Sequence, residues 1–304
     1  MAHPDESPDG GLKLSTLLLA TDGSRDAELA SRTAADLARR SGAALHLVHV
    51  WKPVQFATYS YALPPDPYNM YEQEARDLLQ RESGRVEGYG AGAARGHFST
   101  GSPPHEIVQL AQAISADLIV MGSRGRNALQ RLVVGSVSEG VVYHAHCPVL
   151  LMRGAEHSWP PRSIVIGEDF SAGAERAADI GCRLASVYGA TPTLLSAYPE
   201  PPRKGDEASG ALDDALELVR RHMEERASEL EAAVGVRPQT ALEQGEPATA
   251  LVRAADAADQ PVLLVVGSHG KGALERLRLG SVSTKVVRAA VGPVLVYPVR
   301  ERQT

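Results

Sequence analysis

One stretch of this chain occurs twice, and it constrains the fold more than any other feature of the sequence. The first copy covers residues 118–138 and reads LIVMGSRG, nine residues, then GSVS; the second covers residues 263–283 and reads LLVVGSHG, nine residues, then GSVS. In both copies an apolar run of strand length leads into a glycine-rich loop, and a Gly-Ser step opens a helical segment. This order is typical of a phosphate site, because glycine lets the backbone approach an anion and the first N–H groups of a helix point at it.

The repeat extends beyond the two glycine-rich loops. Residues 17–30 align with residues 164–177 without a gap, which places Asp22 over Asp169. The glycine-rich loops also align without a gap. The chain therefore carries an internal duplication rather than two unrelated halves.

Each half alternates apolar runs of strand length with helical segments. This alternation predicts an α/β fold in which each half forms a parallel, doubly wound sheet of five strands, in the order 3-2-1-4-5. The apolar runs are continuous rather than alternating, as expected for strands that are buried on both faces. We place the two tandem domains at residues 12–153 and 162–300 of the 304-residue chain.

Local signals indicate where several helices begin and end. Ser24 follows the turn after the first strand and is a candidate N-cap,. The helix that it starts is expected to end at Ser41-Gly42, since glycine is the usual residue just beyond a helix,. Two prolines then precede a helix that we expect from about His105 to Ser115.

The predicted strand order brings two separate signals together. Strands 1 and 4 are neighbours at the point where the winding reverses, and open α/β sheets bind ligands there. Asp22 ends the first strand and Gly122 ends the fourth, about 100 residues later in the sequence. Asp169 and Gly267 have the same relation in the second half. We therefore predict one ligand crevice in each half.

The residue types in this crevice suit a nucleotide. Backbone N–H groups of the loop and the hydroxyls of Ser136 and Ser138 can bind phosphates, and Arg124 can pair with one,. In the second half His269 takes the place of Arg124 and is a weaker, pH-dependent partner,. Asp22 can accept hydrogen bonds from a base amino group or a ribose hydroxyl, so a nucleotide would use both ends of the crevice.

Structural alternatives stay open for each residue taken alone. A glycine loop after a strand can simply make a tight turn, and Ser136 and Ser281 can act as N-terminal caps. Asp22 and Asp169 can stabilise turns through local backbone bonds. The repeated constellation with its fixed spacing favours a ligand site over these alternatives.

Composition and absent motifs argue against other classes of protein. The net charge of −6 disfavours a general nucleic-acid or membrane surface,. The two cysteines form no C-x-x-C pair and no apolar run is long enough to span a membrane, so we expect a soluble, cytoplasmic protein,. The sequence has no P-loop motif and no G-x-G-x-x-G after the first strand,. His144, His146 and Cys147 lie at one helix-to-strand corner without a second cluster, and we expect no metal site there.

These motifs resemble the universal stress protein family. The resemblance rests on ATDGS at the end of the first strand, His49-Val50 at the end of the second, ADLIVMGSRG at residues 116–125, the G-x-x-G-x9-G-[ST] pattern and the strand that begins HCPVL. It covers nearly the whole chain as two tandem domains. It implies flavodoxin-like domains of the adenine nucleotide alpha hydrolase-like kind, ATP binding in the subclass that carries the glycine motif, and a role in the stress response.

Carried over residue by residue, the resemblance implies a nucleotide site in each half. In the first half Asp22 would meet the adenine, Ala20 and Val50 would line the base pocket, and Met121 and Gly122 would lie beside the adenosine. The ribose and phosphates would be held by Arg124, Gly125, Gly135, Ser136, Val137 and Ser138. The equivalents in the second half are Gly167, Asp169, Ala197, Val266, Gly267, His269, Gly270, Gly280, Ser281, Val282 and Ser283.

The second half departs from the family pattern at three positions. Phe170 replaces the glycine after the aspartate, Ala197 replaces the valine, and His269 replaces the arginine. These changes leave the glycine loop intact and alter the base pocket. We therefore expect the first site to be the better binder.

The resemblance implies a nucleotide-responsive binding or signalling module that takes ATP, together with Mg²⁺. We do not expect an efficient enzyme, because the sequence shows no base placed to activate a water molecule; Asp22 and Asp169 would sit at the adenine end. Two alternatives stay open: a slow ATPase, and a scaffold whose sites no longer bind nucleotide. A homodimer and an unidentified protein partner are expected, and nucleic acid and membranes are not.

Overall fold

The chain forms two compact units, whose main parts are Leu14–Glu156 and His157–Val299. A computed structural model describes residues 13–52, 67–125, 134–155, 158–198, 206–269 and 279–298. Each unit contains one parallel sheet with helices between successive strands. The predicted fold class, two tandem α/β domains, is confirmed.

The N-terminal unit has five strands in the order β3-β2-β1-β4-β5, as predicted. Leu17, Leu18 and Leu19 of the central strand β1 are fully buried, which explains the unbroken apolar run,. The elements are β1 (Thr16–Ala20), α1 (Arg25–Ser41), β2 (Ala44–Trp51), α2 (Pro67–Gly88), β3 (Arg95–Thr100), α3 (Pro103–Ala113), β4 (Leu118–Gly122), α4 (Ser136–His144) and β5 (Val149–Met152).

The C-terminal unit repeats this arrangement, with the order β8-β7-β6-β9-β10. Read from the third strand of the unit, this is again 3-2-1-4-5. The elements are β6 (Ser163–Gly167), α5 (Ala172–Tyr188), β7 (Thr191–Tyr198), α6 (Asp206–Val234), β8 (Gln239–Gln244), α7 (Pro247–Asp256), β9 (Val262–Gly267), α8 (Ser281–Ala289) and β10 (Val294–Tyr297).

Capping residues fix the helix that follows the first strand of each unit. The Ser24 side chain accepts a hydrogen bond from the Ala27 N–H, and α1 ends at Gly42, whose φ of 71° lies in the left-handed region,. Ser171 plays the same part for α5. Helix α3 begins at Pro103, two residues before the predicted start, because proline suits a first helical turn whose N–H groups need no intrahelical partner,.

None of the helices that the structure describes is long and apolar enough to cross a membrane. The longest of them, α6, carries charged residues throughout its length.

A pair of histidines links β2 and β3 on one face of the sheet. Their rings are stacked with centroids 5.1 Å apart, and His46 Nδ1 lies 2.9 Å from His97 Nε2. One ring must donate and the other accept, so at least one of these nitrogens is unprotonated. Burial lowers the pKa of both imidazoles, and the charge of nearby Arg95 lowers each further.

We expect the free energy of unfolding of the N-terminal unit to fall as the pH drops below 6.5, the ordinary pKa of histidine. In that range the unfolded state binds more protons than the native state, which holds the pair neutral, so stability rises with pH. Denaturant titrations at several pH values measure this. The double variant His46→Gln/His97→Gln should flatten the dependence, whereas His144→Gln, at an exposed position, should keep it. An unchanged slope in the double variant would contradict the assignment.

Candidate functional site

The carboxyl ends of the first and fourth strands lie side by side in each unit. Strand β1 pairs in parallel with β4, and β6 pairs in the same way with β9. The turn after the first strand bonds directly to the glycine loop, since Ser24 Oγ donates to the Arg124 carbonyl oxygen at 3.1 Å. Ser171 Oγ donates to the His269 carbonyl oxygen at 3.4 Å. The two sequence signals therefore meet in space.

A cavity opens at this junction in the N-terminal unit, and its volume is about 820 Å³. Every residue predicted for the first site lines it: Ala20, Asp22, Val50, Met121, Gly122, Arg124, Gly125, Gly135, Ser136, Val137 and Ser138. We call it the N-terminal cavity. Its volume lies within the range of about 300–1,000 Å³ that is usual for small-molecule sites.

A smaller cavity of about 470 Å³ occupies the equivalent place in the C-terminal unit. We call it the C-terminal cavity. The predicted residues that line it are Gly167, Asp169, Ala197, Val266, Gly267, His269, Gly280, Ser281, Val282 and Ser283. Gly270, which was also predicted, lies outside the described residues.

Asp22 has a structural contact as well as a place in the cavity. Its Oδ1 accepts a hydrogen bond from the Ser24 N–H at 3.0 Å, which is the local turn contact considered as an alternative,. Its Oδ2 lies against the glycine loop, because a Cβ added at Gly125 would stand 2.8 Å from it. Asp169 makes the same turn contact with the Ser171 N–H at 3.1 Å. One carboxylate oxygen thus fixes the turn, while the residue as a whole lines the cavity.

The glycine that ends the fourth strand is required by packing. A Cβ at Gly122 would lie 2.7 Å from the Ala27 nitrogen and 2.8 Å from the Asp26 carbonyl carbon. At Gly267 a Cβ would lie 2.7 Å from the carbonyl carbon of Gly173. These are backbone atoms of the helix that follows the first strand. The glycine therefore lets strand and helix approach closely, whatever else it contacts.

The hydroxyls of Ser138 and Ser283 are used inside the protein. Ser138 Oγ donates to the Gly122 carbonyl oxygen at 2.9 Å, and Ser283 Oγ donates to the Gly267 carbonyl oxygen at 2.6 Å. Both serines are buried. The single proton of the Ser138 hydroxyl goes to the strand end in this structure, and its contact with a phosphate stays a prediction,.

The glycine loop closes onto the start of the following helix. The Gly135 N–H donates to the Ser123 carbonyl oxygen at 2.8 Å, and the Gly280 N–H donates to the Ser268 carbonyl oxygen at 2.7 Å. These two glycines are the N-caps of α4 and α8, and neither helix has a side-chain cap bond. The alternative that the serine after each glycine acts as the cap is therefore wrong. The first residues of both helices line the cavities, and the first N–H groups of a helix can bind an anion,.

Arg124 makes an ion pair that the sequence analysis did not anticipate. Its Nε and Nη2 donate to the two carboxylate oxygens of Asp26 at 2.8 and 3.0 Å, and Ser123 Oγ donates to Asp26 Oδ2 at 3.0 Å. Asp26 is only 5% exposed. Arg124 is thus held by a buried carboxylate while it lines the cavity, and its pairing with a phosphate stays a prediction. Alignment of the two copies gave a hint of this ion pair, because Gly173 replaces Asp26 and His269 replaces Arg124 in the second copy.

Several further residues line the cavities. In the N-terminal cavity they include Trp51 and Lys52 at the end of β2, and Ile107 of α3. His49 also lines it, and its Nδ1 lies 2.8 Å from the Thr21 carbonyl oxygen. The residues at the end of β2 could have been predicted from the strand order. Strand β2 is the neighbour of β1, so its carboxyl end must reach the same crevice,.

Glu168 adds a second carboxyl group to the C-terminal cavity. It stands where the first copy has Thr21, it is buried, and burial raises the pKa of its carboxyl group. Its Oε1 accepts a hydrogen bond from the Phe170 N–H at 2.7 Å. Phe170 itself has a φ of 58°, a left-handed conformation that the first copy fills with Gly23,. The acidic end of this cavity therefore carries two carboxyl groups, of Glu168 and Asp169.

Within the described part of the chain, no group of three or more histidine, cysteine, aspartate and glutamate side chains is arranged to hold a metal ion. The His144 ring nitrogen Nδ1 lies 2.8 Å from the Gly140 carbonyl oxygen.

Comparison with known proteins matches both halves of the chain to one family. The sequence model of the universal stress protein family matches residues 13–153 and 161–298. A relative from Staphylococcus aureus (strain USA300), named as a universal stress protein, is 36% identical over 149 residues, which cover 46% of this chain and 84% of the relative.

Solved structures show the same tandem fold. A universal stress protein from Archaeoglobus fulgidus DSM 4304 superposes with a TM-score of 0.68 at 22% identity, and the match covers 94% of this chain and 99% of that chain. A functionally unknown protein from Pseudomonas aeruginosa PAO1 gives a TM-score of 0.67 at 21% identity and covers 94% of this chain and 92% of its own. At these identities the likeness concerns the fold.

Proposed function

The chain belongs to the universal stress protein family, and we propose that it is a nucleotide-dependent stress-response module that binds ATP, with Mg²⁺, in the N-terminal cavity. One observation carries this proposal. The cavity joins a carboxylate at the end of β1, Asp22, to a closed glycine loop and an uncapped helix start at the end of β4. A nucleotide has hydrogen-bond donors at its base and anions at its phosphates, so it matches both ends.

The phosphate end of the cavity is formed by backbone. The N-terminus of α4 carries a partial positive charge, and each such contact with an anion is worth about 0.3–1 kcal/mol, or about 2 kcal/mol when partly buried. Hydrogen bonds from N–H groups to a charged phosphate add about 1.5–3 kcal/mol each. These terms support binding in a protein whose net charge of −6 does not itself attract anions.

The base end of the cavity is formed by β1, β2 and β4. Ala20, Val50 and Met121 supply apolar surface, and Asp22 supplies an acceptor. Trp51 adds an aromatic ring at the end of β2. An apolar slot with one convergent acceptor suits an adenine, whose amino group is a donor.

We propose that the C-terminal cavity is the weaker nucleotide site. His269 stands in place of Arg124, Ala197 in place of Val50, and Glu168 adds a second carboxyl group. The cavity is also smaller, at about 470 Å³ against about 820 Å³. Each difference should make the C-terminal cavity bind a polyphosphate less tightly than the N-terminal cavity does.

A binding role is favoured over ATP hydrolysis. Among the described residues that line the N-terminal cavity, Asp22 is the one carboxylate, and it lies at the proposed base end. General base catalysis of hydrolysis needs an acceptor within hydrogen-bond reach of the attacking water, near the terminal phosphate. The signal would then pass to a second copy of the chain or to another protein partner.

The substitution Asp22→Asn tests the base contact. Its side-chain oxygen can still accept from the Ser24 N–H, but the other carboxylate oxygen becomes a donor NH₂ group,. We expect ATP affinity, measured by calorimetry, to fall about 10-fold or more, since a hydrogen bond to a charged group is worth about 1.5–3 kcal/mol. Asp169→Asn is the matched change in the other unit and should leave the tighter site unaltered. Equal ATP affinity in Asp22→Asn and wild type would contradict the assignment of the base end.

A further inference from the structure

We propose that Asp26 is a positioning residue that strengthens the preference of the N-terminal cavity for a nucleoside polyphosphate over the bare nucleoside, and that the C-terminal cavity lacks this contribution. The inference rests on the proposed ATP site and concerns what distinguishes the two cavities. It assigns a role to a buried carboxylate that does not line the N-terminal cavity, acting through Arg124, which does.

Arg124 is held at both ends, and Asp26 holds its side chain. The side chain is held by the two-point ion pair with Asp26, and the carbonyl oxygen accepts a hydrogen bond from Ser24 Oγ. The ion pair is shielded, with side-chain exposures of 6% for Asp26 and 21% for Arg124. Asp26 accepts from two of the guanidinium nitrogens of Arg124, Nε and Nη2, which fixes the plane of the group,. Asp26 therefore orients a cation at the wall of the cavity.

A second guanidinium belongs to the same neighbourhood. Arg153, which follows β5, is 5% exposed. Burial and the charge of Arg124 lower its pKa to about 10, while the charge of Asp26 acts in the opposite direction. Two cations around one carboxylate give this cluster a net positive charge where the first glycine loop begins.

The second copy has lost these charged residues together. Gly173 stands in place of Asp26, His269 in place of Arg124, and Pro298 in place of Arg153. The Ser268 hydroxyl, whose counterpart in the first copy bonds to Asp26, instead lies 3.1 Å from His269 Nδ1. The C-terminal cavity therefore lacks both partners of the Asp26–Arg124 ion pair, which contact each other in the N-terminal unit.

The physical effect of the cluster is preorganisation. A free arginine side chain loses rotamer entropy when a ligand immobilises it, whereas an arginine already held by Asp26 has lost that freedom in advance. The benefit falls on ligands that carry anions at this end of the cavity. A nucleoside without phosphates does not reach it.

The test compares ATP with adenosine on the full chain. The sequence has two tryptophans, so Trp159→Phe leaves Trp51, which lines the N-terminal cavity, as the fluorescent reporter of that cavity. In this background we expect Asp26→Asn to weaken ATP binding about 10-fold and adenosine binding less than about 2-fold. Asp36→Asn removes the same charge from another position of α1 and is the matched control; it should change neither affinity by more than about 2-fold.

The C-terminal cavity provides the reciprocal experiment. Gly173→Asp combined with His269→Arg places an aspartate–arginine pair at the C-terminal cavity. We expect this graft to raise the preference of that cavity for ATP over adenosine about 5-fold or more. Calorimetry measures it, either in a Gly135→Leu background that removes the N-terminal site or by a two-site fit of the chain that keeps both sites. This graft also tests the inference if Asp26→Asn proves too unstable to study. The unaltered C-terminal cavity, which keeps the helix start at Gly280, should prefer ATP over adenosine less strongly than the N-terminal cavity does.

Three results would overturn the inference while leaving the proposed function in place. They are an equal loss of ATP and adenosine binding in Asp26→Asn, an unaltered C-terminal cavity that already prefers ATP as strongly as the N-terminal one, and a graft without effect. Failure of the unaltered chain to bind ATP at the N-terminal cavity would overturn the inference and the proposed function together.

Discussion

Replacing Gly122 by alanine is expected to lower the free energy of unfolding of the N-terminal unit by about 3 kcal/mol. The added methyl group would lie 2.7 Å from the Ala27 nitrogen and 2.8 Å from the Asp26 carbonyl carbon, both in the backbone of α1. Backbone atoms cannot turn aside as a flexible side chain can. Helix α1 must therefore move off β4, and with it the turn that carries Asp22 and Ser24.

The equivalent change in the C-terminal unit, Gly267→Ala, should lower the free energy of unfolding of that unit in the same way, because its methyl group would meet backbone atoms of Gly173 and Ala174. Gly84→Ala is the matched control, since a methyl group there meets nothing within 4 Å and the residue lies inside α2. That control should stabilise by about 0.5–1 kcal/mol, the helix preference of alanine over glycine. Denaturant unfolding followed by circular dichroism measures all three. A Gly122→Ala variant as stable as wild type would show that the close approach is not required.

Replacing both Gly135 and Gly280 by leucine is expected to abolish ATP binding, with a loss of affinity of more than about 100-fold. Each glycine is the N-cap of the helix that faces its cavity, and each lines that cavity. A Cβ at Gly135 would already stand 3.3 Å from the Ser123 carbonyl oxygen and 3.7 Å from Arg124 Cα and the Gly125 nitrogen, so a leucine side chain there presses on the backbone of residues 123–125, which line or adjoin the cavity. Losing two charge-assisted N–H contacts to phosphate would suffice for this effect, at about 1.5–3 kcal/mol each.

The single variants separate the two sites. Gly135→Leu alone should remove the tighter site, and Gly280→Leu alone should leave it. Gly84→Leu makes the same chemical change on α2 and should keep full binding. Circular dichroism and melting curves show whether each variant is folded, and calorimetry gives the affinity. ATP binding of wild-type strength in the folded double variant would exclude these glycine loops as the nucleotide site.

Periodicity and local chemistry predicted the fold because each feature acted over a short range. The continuous apolar run at Leu17–Leu19 indicated a strand buried on both faces, and Ser24 and Gly42 set the ends of α1. Because the chain is duplicated, each of these sequence patterns could be compared between two copies. The right-handed crossover rule converted the order of elements into the strand order 3-2-1-4-5, which placed Asp22 beside the glycine loop.

The contacts within the site depended on side-chain directions that no spacing rule provides. The ion pair of Asp26 with Arg124 joins residues 98 positions apart. The hydroxyl of Ser138 turns toward the Gly122 carbonyl oxygen rather than the cavity. Glycine at the end of β4 looked like an anion-binding residue, but the approach of α1 requires it. In each case the competing partner came from a different element of the fold.

The N-terminal and C-terminal cavities show how a duplicated unit diverges. Both keep the turn contact of the strand-end aspartate, the closed loop and the serine bonded to the strand end. These shared contacts maintain the fold of the site. The differences, at Glu168, Gly173 and His269, change charge within or beside the cavity instead. Divergence has therefore altered the chemistry that a ligand meets and left the supporting structure in place.

A titration of the purified full chain with ATP, after measuring the nucleotide released from it by heating, tests the central claim most directly. We predict saturable binding of at least one ATP per chain, with the tighter site reported by quenching or enhancement of Trp51 fluorescence in Trp159→Phe. Nucleotide already bound after purification would count toward that number. A chain that carries no nucleotide and shows no ATP binding up to millimolar concentration would contradict the claim and leave the scaffold alternative.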